Sequence, residues 1–144
     1  MKHTHTEFIS TPNIPVLETV HDDDRRTIRE AVTQTPDGRK TRVTALAIKG
    51  AGSVELGNHY HDNPEYFTIH DGDPLVATAS KDTPEDVTVR QYSADSPEDS
   101  YVTMDPGTVH TFRFAGKGNM TSTMAGEFDP SDLHPQKLVI PERN

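Results

Sequence analysis

Gly57-Asn58-His59-Tyr60-His61-Asp62-Asn63-Pro64-Glu65-Tyr66-Phe67-Thr68-Ile69-His70-Asp71-Gly72 places three possible metal ligands, His59, His61 and Glu65, within seven residues. Side chains along a strand alternate between faces, so an extended 57–61 projects His59 and His61 to one side and Tyr60 to the other. The Asn63-Pro64 pair breaks that strand and favours a turn. The run 65–69 then reads as a second strand led by a carboxylate, which returns Glu65 to the two imidazoles. Neutral imidazoles with a carboxylate suit zinc, iron, nickel or copper; calcium and magnesium take sites made of oxygen.

A fourth ligand is available in Met104-Asp105-Pro106-Gly107-Thr108-Val109-His110-Thr111-Phe112-Arg113-Phe114. Asp-Pro-Gly is a turn signal, and the alternation from Val109 onward puts His110, Phe112 and Phe114 on one face of a strand. Phe67 shares a face with Glu65 by the same count. The residues therefore describe a pocket with ligands above aromatic side chains, and Phe67, Phe112, Phe114 and Arg42 are the candidate substrate-lining residues. His70 falls on the face opposite Glu65, which points to a structural or surface role.

Here the sequence resembles the cupin superfamily. The first cupin motif runs His-x-His, a short gap, Glu, six residues and Gly, which positions 59, 61, 65 and 72 satisfy; the second ends in Gly-x-x-His, matched by Gly107 and His110. Pro106 stands one place late, Phe114 replaces the usual Asn, and Gly52 lies one residue further upstream than the motif has it. The resemblance implies an all-β double-stranded helix, or jelly-roll barrel, of roughly ten short antiparallel strands. It also implies a metal held by His59, His61, Glu65 and His110. Val20-His21-Asp22-Asp23-Asp24-Arg25, Gly57-Asn58-His59-Tyr60-His61, Glu65-Tyr66-Phe67 and the tail from Asn119 through Phe128-Asp129-Pro130 look like the zinc cupin domains that act on nucleotide-linked keto sugars in capsule assembly. Those stretches are similar, more distantly, to keto-deoxysugar epimerases. Arg26 stands where those enzymes have a glycine.

Composition bounds the rest. A chain of 144 residues is the size of one domain and buries a core without disulfides. The expected organisation is a flexible arm over 1–12, where His3 and His5 copy the ligand spacing with nothing beside them, and one domain over 13–144. The absence of cysteine excludes disulfides, thiolate metal sites and a thiol nucleophile. The formal charge of −9 opposes binding to nucleic acid or an anionic membrane surface. No apolar run spans a bilayer and the start lacks a signal-peptide core, so the expected location is the cytoplasm.

The expected strands are 14–20, 27–33, 41–48, 57–61, 65–69, 74–80, 87–92, 101–104, 109–114 and 120–128, with a last apolar piece at 138–140. Turns every eight to twelve residues argue for an antiparallel sandwich or small barrel. The Asp22-Asp23-Asp24-Arg25-Arg26 run reads as a solvated turn, or as an arginine reaching over the barrel mouth.

Proton transfer beside a carbonyl is what the candidate functions share, with zinc as the leading cofactor and iron or nickel as alternatives. The leading expectation is an epimerase or isomerase of a nucleotide-linked keto sugar, which calls for basic residues at the mouth: Arg25, Arg42, Arg90 and Arg113. The alternatives are an aromatic polyketide cyclase, an iron-dependent dioxygenase and a small-molecule-binding cupin without turnover. The expected partners are a small carbonyl compound and, through cupin edge strands, a second copy of the chain. Among Tyr60, Tyr66, Tyr92 and Tyr101 no hydroxyl is placed near the metal, so the general base stays unassigned.

Overall fold

The computed structural model describes residues 17–50, 52–126 and 129–140; the arm expected over 1–12 lies outside them. Two antiparallel sheets face one another. The first contains β1 (Glu18–Asp22), β2 (Arg26–Gln34), β3 (Lys40–Ile48), β5 (Glu65–Asp71), β8 (Tyr101–Met104) and β10 (Gly118–Ala125), in the order β1-β2-β3-β10-β5-β8. The second contains β4 (Val54–Tyr60), β6 (Leu75–Ser80), β7 (Thr88–Gln91), β9 (Thr108–Phe114) and β11 (His134–Pro135), in the order β11-β4-β9-β6-β7. This is the expected all-β jelly roll. No helix among the described residues is long and apolar enough to cross a membrane.

Alternation decides which side chains meet between the sheets. Ile48, Val54, Leu56, Phe67, Ile69, Val76, Val102, Met104, Phe112, Phe114 and Met120 form one buried cluster. A smaller cluster of Ala77, Ala79, Val109 and Leu138 seals the outer face of the second sheet. Leu138 belongs to the expected terminal apolar piece, but it makes no strand: it is capped down as a single buried side chain. The short pairing with β4 comes instead from His134 and Pro135.

One expected element needs correction at the point that matters most. The strand through 57–61 is not uniformly extended: Gly57 has φ 110° and Asn58 φ 59°, and the pairing of β4 with β9 shifts register between Gly57 and His59. Leu56 and His59 are three positions apart, so in a regular strand they would face opposite sides. The bulge at Gly57 and Asn58 turns both inward. His59 and His61 lie beyond it and keep their common face. Asn58 tolerates the left-handed conformation better than most residues, and its Oδ1 accepts from Thr111 Oγ1 (2.8 Å) and from the backbone N–H of Leu138 (3.0 Å).

The acidic-basic run is a turn, as its solvated reading expects. Asp23 Oδ1 accepts the backbone N–H groups of Arg25 and Arg26 at 2.8 and 2.9 Å. A hydrogen bond from His21 and those backbone donors hold its carboxyl well below the usual carboxylate range.

Candidate metal centre

His59, His61, Glu65 and His110 converge, each offering a ligand atom within 4.8 Å of the others. They come from three strands and the turn after β4. His59 pairs directly with His110 across the β4–β9 ladder, and Glu65 leads β5 in the facing sheet. Glu65 Oε1 lies 3.5 Å from His61 Nε2 and 3.5 Å from His110 Nε2. An ion with tetrahedral bonds of about 2.1 Å separates its ligands by about 3.4 Å, so this spacing is that of donors around one ion.

The other side of each ring is fixed by the backbone. His61 Nδ1 lies 2.9 Å from the carbonyl oxygen of Asp132, and His110 Nδ1 lies 3.1 Å from that of Thr108. A carbonyl only accepts, so each Nδ1 carries the proton and each Nε2 offers its lone pair to the centre. Burial, and then the His110 and His61 imidazoles, push the His59 pKa from 6.5 down to about 4, which keeps its ring neutral. Glu65 Oε1 is buried without a hydrogen-bond partner. An orphaned buried carboxylate oxygen facing imidazole lone pairs is what a cation would satisfy. The donor set therefore fits a divalent transition metal.

The centre opens into a cavity of about 270 Å³. Phe67 and Phe112 line it, their rings 4.6 Å apart, and Phe67 also packs against His110 at 5.6 Å. Arg42 lines it too. Phe114 does not: it is buried deeper, where an added Cβ at Gly72 or Gly118 would strike its ring. Alternation gives Phe114 its inward face, but the cavity ends before its level.

The remaining arginines are placed elsewhere. Arg113 pairs with Glu55 at 2.7 Å, Arg90 with Asp99 at 2.6 Å and with the Tyr92 ring, and Arg25 sits exposed in the Asp23 turn. His70 lies on the outer face, 2.6 Å from Thr121 Oγ1. None of the four tyrosines lines the cavity.

Sequence reasoning missed three contributors. Glu30 lines the cavity from β2, and the alternation Ile28, Glu30 on that strand was signal enough to find it. Ser122 lines it from β10 and is paired in register with Phe67. Asp132 had no signal: it lies in a single-turn 3₁₀ segment, Pro130–Asp132, 71 residues from the imidazole its carbonyl orients. Its carboxylate accepts from the Asp62 backbone N–H at 2.6 Å and from Asn63 Nδ2 at 3.2 Å, tying the tail to the turn between the ligands.

No family model and no curated protein matches the sequence. Solved structures do. The capsular polysaccharide assembling protein CapF of Staphylococcus aureus superposes with a TM-score of 0.65 at 20% identity, over 91% of this chain and 34% of that one. CapF with the inhibitor 3-isopropenyl-tropolone gives 0.65 at 23%, over 90% and 37%. Bacillus subtilis oxalate decarboxylase, in a study of its Mn(II) centres, gives 0.67 at 11%, over 88% and 33%. The chain spans about a third of the length of these solved chains. With its two facing antiparallel sheets, the chain shares the fold of these structures, which is the cupin fold.

Proposed function

We propose that the chain is a metal-dependent enzyme that moves a proton at the carbon beside a carbonyl of a small biosynthetic substrate. The observation that carries this is the coexistence, in one cavity, of the four-donor centre and a carboxylate outside the ligand set, Glu30. A divalent ion held by His59, His61, Glu65 and His110, zinc in this reading, would polarise the carbonyl and stabilise the enolate without redox chemistry. Glu30 is the lining carboxylate left to accept the proton. Phe67 and Phe112 keep bulk water from the reacting carbon, which strengthens each polar contact there.

Cavity size limits the substrate. A cavity of about 270 Å³ lies at the small end of ligand pockets. That suits one compact ring or a short chain, and a nucleotide would have to lie outside. Likeness to a capsular polysaccharide assembling protein supports a keto sugar as the enclosed part, and epimerisation or isomerisation as the outcome. The aromatic cyclase reading is favoured by a different observation: of the four arginines a nucleotide diphosphate would call on, only Arg42 lines the cavity, beside two phenylalanines. Pairing of two copies through an edge strand belongs to the same proposal, and β1 supplies such an edge with all five residues exposed.

The deciding experiment loads the protein with zinc and follows solvent deuterium into carbonyl compounds by NMR. Exchange into a nucleotide-linked keto sugar supports epimerisation, and exchange into an aromatic poly-β-ketone alone supports the cyclase. Absence of exchange into either, in protein with full metal occupancy, refutes the enolising function and leaves a binding protein. Iron as the metal recovered from unsupplemented cells would replace this chemistry with that of an oxygenase.

A further inference from the structure

We propose that Leu133 is a specificity-determining residue: its side chain meets the group attached to the carbonyl that faces the four-donor centre, and sets how wide that group can be. This rests on the functional reading above and narrows its substrate class to carbonyl compounds with a compact apolar face, a single ring or a short chain, beside the reacting carbon.

Leu133 lines the cavity from outside both sheets. It follows the Pro130–Asp132 turn and precedes β11, with an extended φ of −101° and ψ of 109°. Neighbouring side chains on extended backbone point opposite ways. His134 pairs with Tyr60 between β11 and β4 and stacks on its ring at 4.6 Å. That stack lies on the face of β4 away from His59 and His61, so Leu133 points to the side that the ligands share.

The same stretch is tied to the metal centre. The peptide joining Asp132 to Leu133 is the one whose oxygen lies 2.9 Å from His61 Nδ1. Both neighbours of Leu133 hold the turn between the ligands: Asp132 Oδ1 accepts the Asp62 N–H at 2.6 Å, and His134 Nε2 lies 2.9 Å from Asp62 Oδ2. Further along, the Gln136 N–H donates to the Asn58 carbonyl at 2.9 Å, and Leu138 is buried. Leu133 is thus held in place by the backbone that orients a ligand, which fixes the distance between this wall and the centre.

Burial sets Leu133 apart from the other apolar lining. Leu56, Phe67, Phe112 and Met120 are exposed by 6% or less and belong to the core cluster between the sheets, where a change of side-chain size strains the packing. Leu133 is half-buried and stands outside that cluster. Its free apolar surface is what a ligand in the cavity would cover. The width of the cavity can therefore change at this position without repacking the sheets, and a few carbons of pocket wall are enough to discriminate between ligands.

The test titrates zinc-loaded full chain with three metal-directed hydroxamates of rising width: acetohydroxamate, benzohydroxamate and 2-naphthohydroxamate. Calorimetry gives the affinities. Leu133→Ala should shift the ratio of naphtho- to benzohydroxamate affinity about tenfold toward the wider compound, and Leu133→Phe should shift it by a similar factor the other way. Acetohydroxamate, too short to reach the wall, should bind wild type and both variants alike. In ¹³C-methyl-labelled wild type the Leu133 methyl protons should show an NOE to the bound benzohydroxamate ring. A ratio unchanged in both variants, an acetohydroxamate affinity that falls in step with the other two, or no NOE from Leu133 each overturns the proposal. If one variant loses its folded spectrum, the other variant and the NOE decide. Failure to take up zinc overturns this proposal together with the functional reading, whereas width selectivity without deuterium exchange strikes the enolising function alone.

Discussion

The carbonyl oxygen of His110 lies 2.5 Å from where a Cβ on Gly57 would stand. The neighbour is backbone, so it does not swing aside, and φ of 110° is itself a conformation that side chains resist. Gly57→Ala is therefore expected to cost about 1–3 kcal/mol in strain, lowering Tm by roughly 3–10 °C. It should also push β9 outward and carry His110 with it. Calorimetry paired with metal analysis checks both effects; a variant with wild-type Tm and full metal content would show that the bulge does not set the ligand position.

Asn58 supplies the other half of the bulge. Asn58→Gly keeps the left-handed backbone accessible and removes the acceptor for Thr111 and Leu138 together with the side-chain hydrogen bond to Glu55. The expected loss is about 1–2 kcal/mol, and Asn58→Ala should lose more because it adds backbone strain. Urea denaturation of the two variants separates the contributions. If alanine costs no more than glycine, the left-handed φ of Asn58 is not what the bulge requires.

These two residues also show how far the sequence could be read. The period-two rule and one turn bring His59, His61 and Glu65 together locally, whereas His110, on a distant segment, joins them in the sequence only through the two motifs of the cupin resemblance. The same rule, applied through Val54 and Leu56, puts Leu56 out of phase with His59, and that mismatch announces a bulge at Gly57-Asn58. That phase break is legible in the sequence, and the expectation of a uniformly extended run over 57–61 does not account for it. Glu30 was legible in the same way from the alternation on β2. Asp132 was not: its carbonyl reaches His61 through chain folding alone, and a backbone acceptor leaves no residue-type signature. Phe114 was placed on the right face and at the wrong depth, because alternation fixes direction and says nothing of where a cavity ends.

His61 and Asp132 allow the ligand and its support to be told apart. His61→Ala removes one donor and should abolish stoichiometric metal binding while the two sheets persist, as read by circular dichroism. Asp132→Ala keeps the carbonyl that accepts from His61 but releases the carboxylate ties to Asp62 and Asn63. It should weaken metal binding by roughly 10–100-fold without abolishing it. Chelator competition measures both variants. An Asp132→Ala affinity equal to wild type would show that the tail does not hold the ring in place.

Metal removal should have a selective signature. In the metal-free protein Glu65 Oε1 is a buried oxygen without a hydrogen-bond partner, and an ion that binds only the folded state stabilises it by mass action. At a hundredfold excess over Kd the gain is about 2.7 kcal/mol, worth roughly 5–10 °C in Tm for a chain of this size. Three imidazoles and one carboxylate bind zinc, iron or nickel through nitrogen that calcium and magnesium disfavour. Chelation should therefore lower Tm by that amount, and added zinc should restore it while millimolar calcium or magnesium should not. Restoration by calcium would mean that the stabilising site is built from oxygen, and the exposed group of Asp62, Asp132 and His134 would then be the place to look.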